Sequence, residues 1–162
     1  MASDYLLEID GIKGESLDDK HKDTIEISSF SWGASNTGAS SSGSGGGAGK
    51  VSFQDISFTT SVNKSSPLLM LACASGQHIK KAVLYVRKQG GDQMEFYTMT
   101  LEDVVVTSYK SGGHVDQSST IPVDQFTLDF TTIKYEYKPQ KADGSLDSAQ
   151  SAGWNVKTNK KA

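Results

Sequence analysis

Three histidines and one cysteine are the side chains of this sequence best suited to catalysis or metal binding. His21, His78 and His114 lie far apart along the chain, no pair of them has the spacing of a metal site, and no second thiol joins Cys73. Cys73 lies in an apolar segment, where a cysteine usually behaves as a small buried hydrophobic residue rather than as a nucleophile. These residues therefore predict no catalytic centre, no metal site and no cofactor.

A glycine-rich stretch before Lys50 has the composition of a phosphate-binding loop but not its order. Ser44 occupies the position of the first glycine of that motif, and Val51 occupies the position of its Ser or Thr. The spacing Gly43-x-Gly45-x-x-Ala48 resembles a dinucleotide fingerprint, but a strand-like sequence follows it instead of a helix whose N-terminus could hold phosphate. We therefore predict no nucleotide site.

The composition is that of one soluble domain. The chain has 162 residues and a formal net charge of −3, from 16 basic and 19 acidic side chains. Its length allows a buried core, and its mild acidity argues against nucleic acid as a partner, because phosphate binding needs clustered Lys and Arg. Cys73 is the only cysteine, so no intramolecular disulfide forms. We see neither a signal peptide nor a membrane-spanning run, and expect a cytoplasmic protein that is not inserted in membranes.

Most of the chain has the pattern of β-strands. Six segments are rich in Ile, Val, Thr, Phe and Tyr with period-two stretches, and turn residues such as Gly90-Gly91 and Gly112-Gly113 separate them. We therefore predict an all-β domain in which these turns join antiparallel hairpins. The predicted strands are residues 4–9, 24–33, 51–62, 79–89, 94–109 and 121–138.

The apolar side changes along two of these predicted strands. In the last strand the change falls at Thr131-Thr132, and in the strand 51–62 it falls between Phe53 and Ile56. A bulge or a strong bend produces such a change and lets a long strand curl into a barrel.

One helix is predicted, over residues 66–75. Ser65-Ser66 supplies an N-cap, Pro67 suits the first helical position, and Gly76 is placed to end the helix. The helix interior is apolar nearly all round, so it is either buried in the core or covered by another subunit. Both interpretations stay open at this point. If the helix is an intersubunit contact, its contact residues are Leu68, Leu69 and Leu71.

The segment from Gly33 to Gly49 consists almost entirely of Gly, Ser and Ala. None of its side chains can anchor a core, and its composition alone describes a flexible linker. A loop of this length between two strands of one domain is uncommon unless it has a function. We therefore predict an extended arm, residues 34–50, that packs against another copy of the chain.

Short motifs follow one another along almost the whole chain in a recognisable order and spacing. They are Lys13-Gly14-Glu15-Ser16, Phe30-Ser31-Trp32-Gly33, Gly45-Gly46-Gly47-Ala48-Gly49-Lys50-Val51, Gln54-Asp55-Ile56-Ser57-Phe58-Thr59, Lys64-Ser65-Ser66-Pro67-Leu68, Ala72-Cys73-Ala74-Ser75-Gly76, Tyr137-Lys138-Pro139-Gln140-Lys141-Ala142-Asp143-Gly144 and Gly153-Trp154-Asn155-Val156. Taken together, they resemble the haemolysin-coregulated protein (Hcp) family, the tube subunits of type VI secretion.

The resemblance implies a fold and a mode of assembly. The implied fold is an antiparallel two-sheet β-barrel with one short α-helix on its flank and a long Gly/Ser-rich extended loop. Six copies form a homohexameric ring with a wide channel, and rings stack into a tube inside a contractile sheath. The implied partners are further copies of the chain, a spike protein at the tube tip, sheath proteins, and small effector proteins in the lumen. The tube is assembled in the bacterial cytoplasm and expelled, without a signal peptide, into the extracellular space or a target cell.

The resemblance also implies a single tube domain over residues 1–162. Within it lie the arm 34–50, the helix 66–75 and a C-terminal segment, residues 139–162. Some members of the family carry a toxin domain after the tube domain. This chain ends a few residues after Val156, so we expect no fused effector domain.

Two serines are predicted to face the lumen of such a ring. Ser29 and Ser31 lie on the opposite side of their strand from Phe30 and Trp32, which we expect to pack into the barrel core. A channel wall that must release cargo should be small and polar. On an isolated copy, the same serines would simply face solvent.

The arm is predicted to reach the neighbouring ring. Glycine permits close backbone approach, and serine offers small hydrogen-bonding groups. The residues assigned to this ring-stacking contact are Ser40, Gly43, Gly45, Gly46, Gly47 and Lys50.

Two other functions are alternatives to self-assembly. The first is a stand-alone β-barrel binding module for a sugar or peptide, with residues 34–50 as its binding loop. Such loops favour Tyr, Trp, Arg and Asn anchors, and this arm has almost none. The second is an enzyme, which is disfavoured because no catalytic triad, dyad or metal set is present in the sequence.

Overall fold

The computed structural model describes residues 3–38, 50–88, 93–115 and 120–162, which form an antiparallel β-structure with one helix. The helix, α1, spans Ser66–Ser75. The strands are β1 (Ser3–Ile9), β2 (Ile25–Ile27), β3 (Ser29–Ser31), β4 (Ala34–Asn36), β5 (Val51–Phe53), β6 (Ile56–Ser61), β7 (Ile79–Lys88), β8 (Glu95–Gly112), β9 (Val123–Tyr137), β10 (Gln150–Asn155) and β11 (Lys160–Lys161). The predicted all-β class with one short helix is confirmed.

The main sheet closes on itself as a barrel. Its hydrogen-bonding order is β11, β10, β9, β8, β7, β1, β2, while β3 pairs with β6 and β6 pairs with β9. β2 and β3 follow one another directly, separated only by Ser28, whose backbone N–H donates to the carbonyl oxygen of Thr59 at 2.8 Å. Followed from β9 through β8, β7, β1, β2, β3 and β6, the order of strands therefore returns to β9 and closes the barrel. The predicted strand 24–33 is thus divided between two neighbours, β1 and β6.

The change of apolar side at Thr131 is a bend shared by two strands and not a bulge. β8 and β9 keep one register through this point, so neither strand gains a residue. Asp103 of β8 instead adopts a left-handed φ of 54°, and Thr131 Oγ1 donates a 2.7 Å hydrogen bond to its carboxylate. Both strands therefore change their buried side together. Their register shift lies farther along, between Val106 and Ser108.

The second predicted change of side marks the end of one strand and the start of another. Phe53 belongs to β5, which pairs only with β4 in a separate two-stranded sheet. Ile56 begins β6, which pairs with β9 of the barrel. The predicted continuous strand 51–62 is therefore two strands with different partners.

Large apolar side chains from most of the barrel strands and one face of α1 fill the core. Phe58 and Phe126 face each other across β6 and β9, with ring centroids 5.3 Å apart. Their register makes them direct cross-strand partners, an arrangement that stabilises a sheet pair. The largest fully buried side chains are Phe58, Phe126, Leu7, Ile25, Ile56, Leu69, Leu84, Met99, Leu101, Leu128, Val104 and Val106.

The C-terminal segment contributes strands that the sequence pattern did not predict. β10 pairs with β9 from Gln150, opposite Tyr137, to Asn155. β11 covers the other side of β10 only at Trp154 and Asn155. Within the described residues, the outer edge of β10 from Gln150 to Ala152 therefore has no neighbouring strand.

Candidate functional surfaces

Ser29 and Ser31 point away from the barrel core. Both are exposed, whereas Phe30 between them and Trp32 after them are half-buried and pack against the core cluster. The predicted orientation of these four side chains is therefore confirmed. Whether the two serines face a channel depends on other copies of the chain.

An aromatic cluster beneath β3 holds this orientation. Phe30 packs between Tyr5 and Tyr97, at centroid distances of 5.4 Å and 5.6 Å. Trp32 Nε1 donates a 2.9 Å hydrogen bond to the hydroxyl of Tyr97. Burial raises the pKa of Tyr97 to about 12, so this hydroxyl stays neutral at physiological pH. Because the inner side of β3 is fixed by these contacts, its outer side presents the two serines in one direction.

The described part of the arm begins as a paired ribbon. Ala34 lies opposite Phe53, and Asn36 lies opposite Val51. Lys50, at the other end of the arm, is exposed. The remaining residues assigned to the ring-stacking contact, Ser40, Gly43, Gly45, Gly46 and Gly47, lie outside the described residues.

An apolar groove of about 620 Å³ opens between this ribbon and β10. β6 occupies the edge of β9 up to Leu128, and β10 occupies the same edge from Thr132 onward. Side chains from the ribbon, β9 and β10 line the opening left between them, among them Val51, Phe53 and Trp154. An apolar groove beside a strand edge is a surface suited to a second polypeptide.

α1 divides its apolar residues between the core and the surface. Leu69 is fully buried in the core of the chain, so its assignment as an intersubunit contact was wrong. Leu68 and Leu71 are 42% and 56% exposed, and Met70 beside them is 50% exposed. α1 is therefore partly a core helix, because one face is buried in the chain, and its opposite face is exposed and available for an interface.

The start of α1 is fixed by a buried carboxylate rather than by a serine cap. Ser65 occupies the N-cap position but makes no capping hydrogen bond to the helix, and its hydroxyl donates to Asn63 instead. Ser66 Oγ donates to Asp124 of β9 at 2.5 Å, and the hydroxyl of Tyr109 donates to the same carboxylate at 2.9 Å. Asp124 is fully buried, so these contacts tie the helix to the barrel.

Ion pairs connect the loop between β1 and β2 to the end of β7. Arg87 is 97% buried and binds Asp18 at 2.5 Å and Asp4 at 3.2 Å. The hydrogen bond from Arg87 lowers the pKa of Asp18 to about 2, against an ordinary value of 3.8. Nearby, His21 contacts Glu95 and stacks on Tyr85.

This lowered pKa predicts a pH-dependent contribution to stability. The folded state releases the proton of Asp18 more readily than the unfolded state, so the stabilisation is complete above pH 3.8 and is lost as pH falls towards 2. Asp18→Asn should lower the free energy of unfolding by roughly 2 kcal/mol near neutral pH. Urea titrations of both proteins at several pH values should show this difference shrinking in acid. Asp19→Asn, at an exposed neighbour, is the control, and a difference independent of pH would contradict the prediction.

The histidines and the cysteine of the described residues lie apart from one another in the fold. The described residues contain no group of three or more His, Cys, Asp or Glu side chains that could hold a metal ion. His21 and His78 contact separate carboxylates, Glu95 and Asp103, and Cys73 is partly buried on α1. No helix within the described ranges has the length and hydropathy of a membrane-spanning segment.

Sequence reasoning missed three features of these surfaces. Strand β10 was not predicted because its segment contains little Val or Ile, although Trp154 and Val156 have high β-propensity. Arg87 and Asp124 are polar residues in predicted strands, and no local pattern distinguishes them from surface positions. Their burial follows from partners far away in sequence.

Comparisons with known proteins agree on one family. Residues 6–137 match the family described as "Type VI secretion system effector, Hcp". The chain is 43% identical to "Protein hcp1" of Pseudomonas aeruginosa over 164 aligned positions, covering 100% of both proteins. Among solved structures, it is similar to a type six secretion system protein, with a TM-score of 0.91, 32% identity, and coverage of 99% of this chain and 100% of that one.

A second solved structure extends this agreement. Hcp1 from Salmonella typhimurium is 34% identical, with a TM-score of 0.80 and coverage of 99% of this chain and 100% of that chain. The family match spans most of the sequence and both structural matches span nearly all of it. This chain therefore belongs to the Hcp family of type VI secretion system proteins.

Proposed function

We propose that this chain is the building block of the type VI inner tube: six copies form a ring, and rings stack into a tube that a contractile sheath expels. Family membership supports the system, and one structural observation carries the assembly. The described barrel presents surfaces that a single copy does not cover, namely the edge of β10, the apolar groove beside it and the exposed side of α1. The role is structural rather than catalytic.

Ring formation is the assembly that pairs such surfaces without leaving free ends. An open strand edge invites pairing with another chain, and native proteins cover it or use it. A head-to-tail contact between different surfaces closes into a ring when its rotation fits a whole number of copies. The exposed leucines Leu68 and Leu71 supply a convex apolar surface, and the groove at Phe53 supplies a concave one.

The remaining partners follow from this role. They are a spike protein at the tube tip, the surrounding sheath proteins and small effector proteins inside the lumen. Assembly takes place in the bacterial cytoplasm, and export uses the type VI apparatus. Neither nucleic acid nor insertion into a membrane has a part in it.

The lumen surface is assigned to Ser29 and Ser31. Both side chains are small, exposed and directed away from the core, so a channel lined by them would be polar and weakly adhesive. The arm 34–50 is assigned to the contact between rings.

Replacing Ser31 by glutamine should lower effector retention without disturbing the rings. The longer side chain is repeated in every copy around the channel, so we expect at least about a tenfold loss of co-purified effector, equivalent to about 1.4 kcal/mol. Effector recovered with the rings is the measurement, and ring integrity is followed by native mass. Ser148→Gln, at an exposed position outside β3, is the matched control. Unchanged effector recovery would remove Ser31 from the lumen wall.

Native mass spectrometry with negative-stain imaging tests the proposal as a whole. A mass that is a multiple of six copies, together with uniform six-fold rings, is the expected result. Dispersed monomers at high concentration would favour the stand-alone binding module instead.

A further inference from the structure

An acidic groove lies beside the loop between β1 and β2. It consists of two adjoining pockets, of about 390 Å³ and 420 Å³, which share Ser16, Glu26 and Ile27. Arg87 is the one basic residue among the residues that line these pockets in the described chain. The carboxylates of the acidic groove are Asp4, Glu15, Asp18 and Glu26.

Four carboxylates line the acidic groove beside a single guanidinium, so most of this negative charge is not compensated by the residues that line it. Arg87 pairs with Asp4 and Asp18. Glu26 is exposed and forms no ion pair with another described residue. Glu15 is also exposed, and its carboxylate accepts a 2.8 Å hydrogen bond from the backbone N–H of Lys64 rather than from a charged side chain. The acidic groove therefore keeps a net negative charge and attracts cations.

A compact positive surface lies on the hairpin that ends the chain. The lysine turn comprises Lys157, Lys160 and Lys161, at and beside the connection from β10 to β11, and all three are exposed. Asp103 lies nearby: hydrogen bonds from Thr131 and His78 lower the pKa of its carboxyl, and the charge of Lys157 acts in the same direction. None of the three lysines forms an ion pair within the described part of the chain. In a protein with a net charge of −3, this is a local excess of positive charge.

The strand register places the Arg87 side of the acidic groove and the lysine turn at different ends of β7 and β10. Arg87 of the acidic groove lies opposite Glu95, at the start of β8. At this same end of the sheet, Tyr97 of β8 pairs with Tyr137 of β9, and Tyr137 pairs with Gln150, the first residue of β10. β10 runs from Gln150 away from this end to Asn155, a distance of about 17 Å at the usual rise per residue. The lysine turn follows beyond it. Within one copy the lysine turn therefore lies away from the Arg87 side of the groove, whereas two copies in head-to-tail order can bring the two together.

We propose that the lysine turn of one copy binds the acidic groove of a second copy, and that this is the polar contact between successive rings. The inference rests on the proposed function, because it names the chemistry of ring stacking. Opposite charges steer the two rings into one relative orientation and disfavour head-to-head stacking, which would bring like charges together. Screening by salt should weaken a contact of this kind.

Zero-length carbodiimide cross-linking tests the contact directly on the full-length protein. Equal amounts of unlabelled and uniformly ¹⁵N-labelled chain are assembled together, cross-linked and digested, so that links between copies appear as mixed-isotope peptides. We expect mixed-isotope links from Lys160 or Lys161 to Glu15 or Glu26. Mixed-isotope links elsewhere, with none between these two surfaces, would overturn the inference.

Charge reversal gives the second test. The double variant Lys160→Glu with Lys161→Glu should keep six-membered rings by native mass but lower the stacked fraction in sedimentation at least tenfold. Lys110→Glu, at an exposed position on β8, is the matched control and should stack normally. Adding Glu15→Lys and Glu26→Lys to the double variant should restore stacking.

The outcomes separate this inference from the proposed function. Normal stacking of the double variant, with stacking of the unmodified chain unaffected by raising salt from about 0.05 M to about 0.5 M, would overturn the inference and leave the tube proposal standing. Failure of the unmodified chain to form rings would overturn both. Loss and recovery of stacking in step with charge would support both.

Discussion

Deleting residues 38–47 is expected to leave six-membered rings intact and to abolish stacked tubes. The deletion removes the central part of the arm, and the ribbon at its base keeps its pairing from Ala34↔Phe53 to Asn36↔Val51. Four residues would then join β4 to β5, a length common in β-hairpins. The barrel should therefore fold normally, and the contact assigned to the arm should be lost.

Electron microscopy and sedimentation of the deletion variant measure this effect. The expected product is a population of single rings, with tubes reduced below detection at concentrations where the unmodified chain stacks. The thermal midpoint of the variant serves as the control for folding. Tubes of ordinary length formed by the deletion variant would show that the arm does not join the rings.

Replacing Asp124 by alanine is expected to destabilise the fold by about 3 kcal/mol, because hydrogen bonds to a charged group contribute more than neutral ones. The change leaves the hydroxyls of Ser66 and Tyr109 without their shared acceptor in a buried place. It also releases the first turn of α1 from β9. The loss should be accompanied by weaker ring formation if the exposed side of this helix contacts another copy.

Urea denaturation monitored by circular dichroism gives this free energy. Asp129→Ala is a suitable control, because Asp129 is exposed on the same strand and should change stability by less than about 0.5 kcal/mol. Equal effects of the two substitutions would mean that Asp124 does not anchor the helix. Asp124→Asn keeps the shape of the side chain and separates the effect of charge from the effect of size.

Local features of the sequence were enough to predict the helix. Residues 66–75 were predicted and Ser66–Ser75 is observed, with Pro67 in the first turn and Gly76 in a left-handed conformation at φ 65°. These signals act through the conformational limits of single residues, so they need no information from distant parts of the chain. The cap was less predictable: Ser65 takes the expected position but bonds Asn63, because a nearby side chain competes with the helix for its hydroxyl.

Alternating polarity was enough to predict which side of β3 is buried. Ser29 and Ser31 face out, and Phe30 and Trp32 face in, because successive side chains of a strand point to opposite sides. The same pattern could not tell a bend from a broken strand. The change at Thr131 proved to be a bend, and the change after Phe53 proved to be the end of a strand.

The sequence by itself determined the all-β class, the single short helix, the outward direction of Ser29 and Ser31, and the family. Each of these depends on residue type and on near neighbours. Only the tertiary structure decided that Leu69 is buried while Leu68 and Leu71 are exposed, and that β10 extends the sheet. It also decided that Arg87 forms ion pairs with both Asp4 and Asp18. Those outcomes depend on contacts between residues far apart in the chain, because burial and ion pairing are set by what folding brings together in space.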